Sequence, residues 1–189
     1  MKKTFFPTAI ATIFIILLNS IFILNEGEQA IVTQFGKPVG DSIISAGLKF
    51  KVPFIQKVIK FDKRILEWDG AANEIPTKDN KYIFVDTFAR WKISNPLQFY
   101  KSARNEALAQ SRLDDIIDGA VRDEISNRFM SEIVRSTDRE MGVYESDLDN
   151  SNNDVIKSGA RKSIIESILS SVESKLAELN IGISVADFQ

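Results

Sequence analysis

The residues that most often carry catalysis are missing: the 189-residue chain contains no histidine and no cysteine. It therefore cannot assemble a Ser-His-Asp triad, a Cys-His dyad, an HExxH zinc site or a thiolate metal site. What remains is a nucleophile with a lysine base, or a pair of carboxylates. Ser158 and Lys162 stand at i and i+4, within touching distance on a helix, and define a membrane-bound Ser-Lys hydrolase as one reading. The acidic pairs Asp114/Asp115 and Asp123/Glu124 fall on the polar side of an amphipathic stretch, where a general acid and base would lack a pocket. Asp147-x-Asp149-x-Ser151-x-Asn153 begins like a calcium loop. However, Asn152 stands where that loop needs glycine, and Ser158 where it needs a bidentate glutamate. Gly36-Lys37 runs into Pro38 without the upstream glycine of a phosphate loop and reads as a turn. No catalytic, cofactor-binding or metal-binding residue is assigned.

The elements that would position such groups follow from periodicity. Gln29–Phe35 is β-branched and bounded by Gly27 and Gly36-Lys37-Pro38, which predicts a strand and a turn. Leu48, Phe50 and Val52 alternate with Lys49 and Lys51, predicting a half-buried strand, and after Pro53 an apolar run with lysines continues to Phe61. The Phe and Lys content of Leu48–Phe61 suits either a segment at a membrane surface or an ordinary strand pair. Thr77–Lys81 is turn-forming. Tyr82–Ile93 reads as one long strand, with Ile83, Val85, Thr87, Ala89, Trp91 and Ile93 on its core face. Asn95-Pro96 ends it and starts a short helix carrying Leu97, Phe99 and Tyr100. Leu113, Ile116, Ile117, Ala120, Val121, Ile125 and Phe129 predict an amphipathic helix from about Glu106 to Val134. A polar, acidic stretch covers 136–157. A second helix runs from about Ala160 to Leu179, with Ile164, Ile165, Ile168, Leu169, Val172, Leu176 and Leu179 as its stripe. Asn180-Ile181-Gly182 closes it, with Gly182 available for the left-handed C-cap, and Ile183–Phe188 alternates as a strand.

The N-terminal stretch Phe5–Leu24 has another character. Thr4 to Asn25 are 22 consecutive uncharged residues, and thirteen of the positions from Phe5 to Leu24 are Phe, Ile or Leu. As a helix the uncharged run would reach roughly 33 Å, enough for a hydrocarbon core of about 30 Å. It exceeds the apolar region of a secretory signal, and Asn25-Glu26-Gly27-Glu28 is no cleavage site, so a single-pass anchor is predicted. Lys2 and Lys3 precede it and Glu26 and Glu28 follow, which keeps the N-terminus cytoplasmic and sends the rest outward. A net charge of −2 and a pI near 5.4 argue against a nucleic-acid partner.

Glu26-Gly27-Glu28-Gln29-Ala30-Ile31-Val32-Thr33-Gln34-Phe35-Gly36-Lys37-Pro38, directly behind such an anchor, resembles the opening of the SPFH (stomatin/prohibitin/flotillin/HflK-C) family. Ala46-Gly47-Leu48-Lys49-Phe50-Lys51-Val52-Pro53-Phe54-Ile55 resembles its PGLHFKIPFI signature, with Ala46 for the usual Pro and Lys49 for the His. Thr77-Lys78-Asp79, Val85-Asp86 and Trp91-Lys92-Ile93 are similar to the TKD…VD…WRI segment of the HflC branch in particular. Gly182–Phe188 resembles the closing GIEVVDV strand. The resemblance implies an α/β (α+β) SPFH or band-7 domain over 26–189, behind a cytoplasmic N-terminus and transmembrane helix over 1–25. It further implies a bacterial inner-membrane protein facing the periplasm, with no cofactor and no catalytic site. Its partners would be membrane lipids, HflK in a hetero-oligomeric ring, and the ATP-dependent membrane protease FtsH, which that ring regulates. Family members continue into a long C-terminal coiled-coil helix that this sequence lacks. A truncated, non-functional remnant is therefore a further reading beside the Ser-Lys hydrolase.

Overall fold

The computed structural model describes residues 15–134 and 161–189. Ser158, the Asp147–Ser158 loop, the acidic stretch and residues 5–14 of the predicted anchor lie outside the described residues. The chain divides into two compact units. One comprises residues up to Ile65 with Lys92–Asn105 and Asn180–Ser184; the other comprises Leu66–Trp91, Glu106–Leu179 and Val185–Gln189.

The first unit corrects the anchor. The described chain opens in helix over 15–19, but Ile21–Leu24 is strand β1, paired antiparallel with β4 (Gly47–Phe50). Asn19 and Ser20 break the helix. The Asn19 side-chain amide donates back to the Ile15 carbonyl at 2.9 Å, and the Ser20 hydroxyl donates to the Lys51 carbonyl at 2.6 Å. The β-branched Ile21 and Ile23 then find backbone partners across the pair. Among the described residues no helix is long and apolar enough to cross a membrane. Leu48 and Phe50 are also placed contrary to expectation, at 57 % and 70 % exposed, because they share an outward face with Ile21 and Ile23. The inward position across the pair is filled by Leu24.

β2 (Glu28–Gln34) is the centre of a β3-β2-β5 sheet, between β3 (Lys37–Pro38) and the antiparallel β5 (Gln56–Asp62). Buried Gln29 donates its side-chain amide to the carbonyls of Asp62 and Ile93, satisfying a polar group in the core. Helix α1 (Pro96–Ser102) starts as predicted, with Pro96 at its first turn and the Asn95 side chain accepting from the Leu97 and Gln98 N–H groups. Phe99 meets Phe61 edge to face at 5.2 Å between ring centroids.

In the second unit, β6 (Leu66–Asp69) pairs antiparallel with β9 (Phe88–Ile93), and β9 also pairs with β10 (Ile183–Phe188). β7 (Asn73–Pro76) forms a separate hairpin with β8 (Tyr82–Val85). Both β9 and β10 contribute residues to each unit. The predicted strand Tyr82–Ile93 thus breaks at Asp86-Thr87, where the chain changes partner from β7 to β6. Its faces hold through the break: Thr87, Ala89, Trp91 and Ile93 are buried, while Tyr82, Phe84, Phe88 and Arg90 are exposed. Among the described residues, three helices complete the unit: α2 (Glu106–Ser126), α3 (Met130–Val134) and α4 (Arg161–Leu179). The α2 stripe is buried at Leu113, Ile117, Ala120, Val121 and Ile125, with Ile116 and the following Phe129 half-buried. On α4 Ile164, Ile168, Val172 and Leu176 are buried and Ile165 and Leu169 half-buried, whereas Leu179, expected in the stripe, is exposed. The single helix expected from Glu106 to Val134 divides at 127–129. There the Arg128 carbonyl accepts from the Lys78 N–H at 2.9 Å and leaves the helical ladder.

Candidate functional site

The polar residues with chemical potential are dispersed. Lys162 is exposed on the first turn of α4. Asp114 is committed elsewhere: its carboxylate accepts from the buried Trp68 indole N–H at 2.6 Å. Asp118 has its carboxyl pushed up by burial, then by the charge of Asp114. Asp123 lies 3.9 Å from Lys175, and Glu124 bridges Arg128 at 2.8 Å one helical turn on. Among the described residues no three acidic, His or Cys side chains could hold a metal. A cleft of about 290 Å³ in the second unit is lined mainly by apolar side chains, including Ile83, Val121, Ile125, Ile164 and Phe188. Among the described residues it carries Asp86 and Arg161 but no pair arranged as nucleophile and base.

Thr77-Lys78-Asp79 acts as a latch between the β7–β8 turn and the α2–α3 junction. The Thr77 hydroxyl donates to Asp79 at 2.6 Å, and the same carboxylate oxygen accepts the Met130 N–H at 3.2 Å, at the start of α3. The Lys78 ammonium lies 4.8 Å from the centre of the Phe129 ring. Thr77 first, then Met130 and Lys81, hold the Asp79 carboxyl down at about 2 from an ordinary 3.8. A depressed carboxyl adds stability that is complete above its unfolded value and is lost as pH falls through its folded value. Asp79→Asn should therefore lower the urea midpoint at neutral pH and narrow the gap to the parent as pH falls from about 4 toward 2. A gap that stays constant over that window would show that the charge of Asp79 does not hold the latch.

The first unit instead presents apolar surface. Ile21, Ile23, Leu48 and Phe50 form the outer face of the β1–β4 pair, and Val52, Phe54 and Ile55 at the following turn are also exposed. Alternation alone did not reveal this, because a period-two pattern marks which residues share a face but not which face is covered.

A family profile described as SPFH domain / Band 7 family matches residues 22–189, beginning within the stretch expected to be anchor. The chain is similar to Protein HflC of Treponema pallidum (strain Nichols), at 39 % identity over 123 residues, covering 65 % of this chain and 37 % of that protein. It is similar to Protein HflC of Vibrio cholerae, at 30 % identity, with 100 % of this chain and 61 % of that protein covered. It is also similar to Modulator of FtsH protease HflC of Escherichia coli (strain K12), at 31 % identity, covering 67 % of this chain and 37 % of that protein. The aligned region thus spans less than two thirds of each of these relatives. The chain belongs to the SPFH domain / Band 7 family.

Proposed function

We propose that this protein is a membrane-anchored SPFH scaffold that works with HflK to regulate the membrane protease FtsH, without catalysis of its own. The observation that supports it is the 31 % identity to a relative named as a modulator of FtsH protease, within a family match over residues 22–189. The anchor belongs to the same reading. With Ile21–Leu24 committed to β1, the uncharged run left for it is Thr4–Asn19. As a helix it would reach roughly 24 Å. Local bilayer thinning and snorkelling of Lys2 and Lys3 make up the difference from a core of about 30 Å. The N-terminus then lies in the cytoplasm and the SPFH domain on the periplasmic side of a bacterial inner membrane. The test is affinity purification of the tagged chain from detergent-solubilised membranes containing HflK and FtsH. Retention of both is expected; recovery of the chain without either would overturn the proposal.

A further inference from the structure

We infer that the cleft of the second unit takes an extended peptide, supplied by another polypeptide, as an added strand on the open edge of β8. The inference goes beyond the scaffold reading, which gives this cleft no part. The edge is read from the alternation of backbone hydrogen bonds. The Thr77 N–H donates to the Lys81 carbonyl at 2.8 Å, so the bonded pairs of the β7–β8 hairpin are Thr77/Lys81, Ile75/Ile83 and Asn73/Val85. Pro76, which has no N–H to give, accordingly stands opposite Tyr82 in a non-bonded pair. The backbone groups of Tyr82 and Phe84 therefore point away from β7, and among the described residues no strand takes them. Farther along the chain the same edge is in use. Phe88 and Gln189 exchange both backbone bonds, at 3.0 and 2.8 Å, while the Gly70 N–H donates to the Thr87 carbonyl at 3.0 Å on the opposite edge. The alternation thus holds through the change of partner at Asp86-Thr87. A strand entering beyond the Phe88–Gln189 pair, antiparallel to β8, continues that ladder through Phe84 and Tyr82.

The cleft of about 290 Å³ lies along this edge. Ile83 to Thr87 line it without a gap, which a strand does along its backbone, because successive side chains leave by opposite faces. Ile125, Ile133, Ile164 and Ile165 give it an apolar far wall. This combination selects an extended peptide over an acyl chain or a helix. Only a strand matches a row of open donors and acceptors while sending alternate side chains into apolar space. Residues of the peptide opposite Ile83 and Val85 share their half-buried face and are apolar. The residue opposite Asp86 shares its exposed face, where a cation complements the carboxylate.

The probe is acetyl-Lys-Val-Thr-Val-Thr-Lys-amide with fluorescein on its last lysine, titrated by anisotropy against the full-length chain in phosphatidylcholine nanodiscs. Saturable binding of one peptide per chain is expected. N-methylation of both threonines, whose N–H groups face β8 in this register, should abolish it. N-methylation of both valines, whose N–H groups face away, should leave it within about twofold. Phe84→Pro removes one outward donor without touching the β7–β8 ladder and should weaken binding roughly tenfold. Phe84→Ala keeps the N–H and should cost less than about threefold. Asp86→Lys should weaken the probe about fivefold, and a probe beginning with glutamate should recover the loss. The methylated pair is read on the parent chain alone, so misfolding of a variant leaves the test intact. Binding that does not saturate, that is equal for the two methylated probes, or that survives Phe84→Pro unchanged in a folded chain overturns the inference. So does a doubled particle mass that Phe84→Pro reverses, because a second copy then holds the edge.

Discussion

Gly182→Ala should be among the most damaging single-methyl changes in the protein. Two effects act at the same atom. Gly182 sits at φ +79°, and a Cβ built there would lie 2.5 Å from the Asn95 carbonyl oxygen and 2.7 Å from the Phe99 nitrogen. The left-handed backbone alone costs a non-glycine residue about 1 kcal/mol or more. The clash is with backbone, not with the end of a flexible side chain, and overpacking of that kind costs roughly 1–3 kcal/mol further. The position cannot relax freely, because the Gly182 carbonyl accepts from the N–H groups of both Ser94 and Asn95, and the neighbouring Ile181 carbonyl takes the Ser102 hydroxyl. A drop in melting temperature on the order of 5–15 °C is expected for a chain of this length. Gly36→Ala is the matched control: its φ is also +79°, but no heavy atom lies within 4 Å of its built Cβ. If the two variants melt together, the close approach at Gly182 contributes nothing.

Trp68→Ala carries the other large effect. Trp68 is 2 % exposed, and its ring tip packs so tightly over Gly70 that a Cβ there would lie 2.6 Å from it. Truncation removes the ring from a site with no small-residue substitute and should cost roughly 3–5 kcal/mol. It also removes the donor that Asp114 accepts at 2.6 Å. Trp68→Phe separates these contributions, since it keeps most of the apolar volume and loses the N–H. Its cost should fall to about 1–2 kcal/mol, because Asp114 is exposed and can turn to water. Urea unfolding followed by the fluorescence of the remaining Trp91, itself buried, reports both variants. Equal losses for Phe and Ala would show that the indole hydrogen bond, not the packing, dominates.

Much of the fold was legible because its signals were local. The centres of the α2 and α4 stripes recur at helical spacing and are buried, Leu179 at the end of α4 being exposed, and the inward face of β9 follows strict alternation. Asn95-Pro96 carries its cap chemistry in its own side chains, whereas the left-handed residue directly after α4 is Asn180 at φ 47°, not the expected Gly182, because asparagine also tolerates that conformation. The misreadings involve partners distant in sequence. Ile21–Leu24 looks like the end of an apolar helix until Gly47–Phe50 offers it a backbone ladder. Tyr82–Ile93 is continuous in pattern yet divided by a change of neighbour, and the helix from Glu106 ends where the β7–β8 turn takes the Arg128 carbonyl. The candidate surface was half legible. Phenylalanines and lysines between Leu48 and Phe61 suited a membrane-surface segment and an ordinary strand pair alike, and the exposure of Phe35 and its place beside the Phe54 turn come only from sheet register and backbone angle.

The division of the chain into two units, each drawn from three separated stretches, also bears on how the protein is made. The first unit needs Lys92–Asn105 and Asn180–Ser184, so its packing cannot be complete when Ile65 leaves the ribosome. At roughly 5–20 residues per second, the wait for Ser184 is on the order of ten seconds. During that interval Leu24, Ile31 and Phe61, later among the most deeply covered side chains, lack part of their cover. A nascent chain in this state exposes apolar surface that the finished fold covers. The order of synthesis, as well as the final set of contacts, decides how long that surface stays bare.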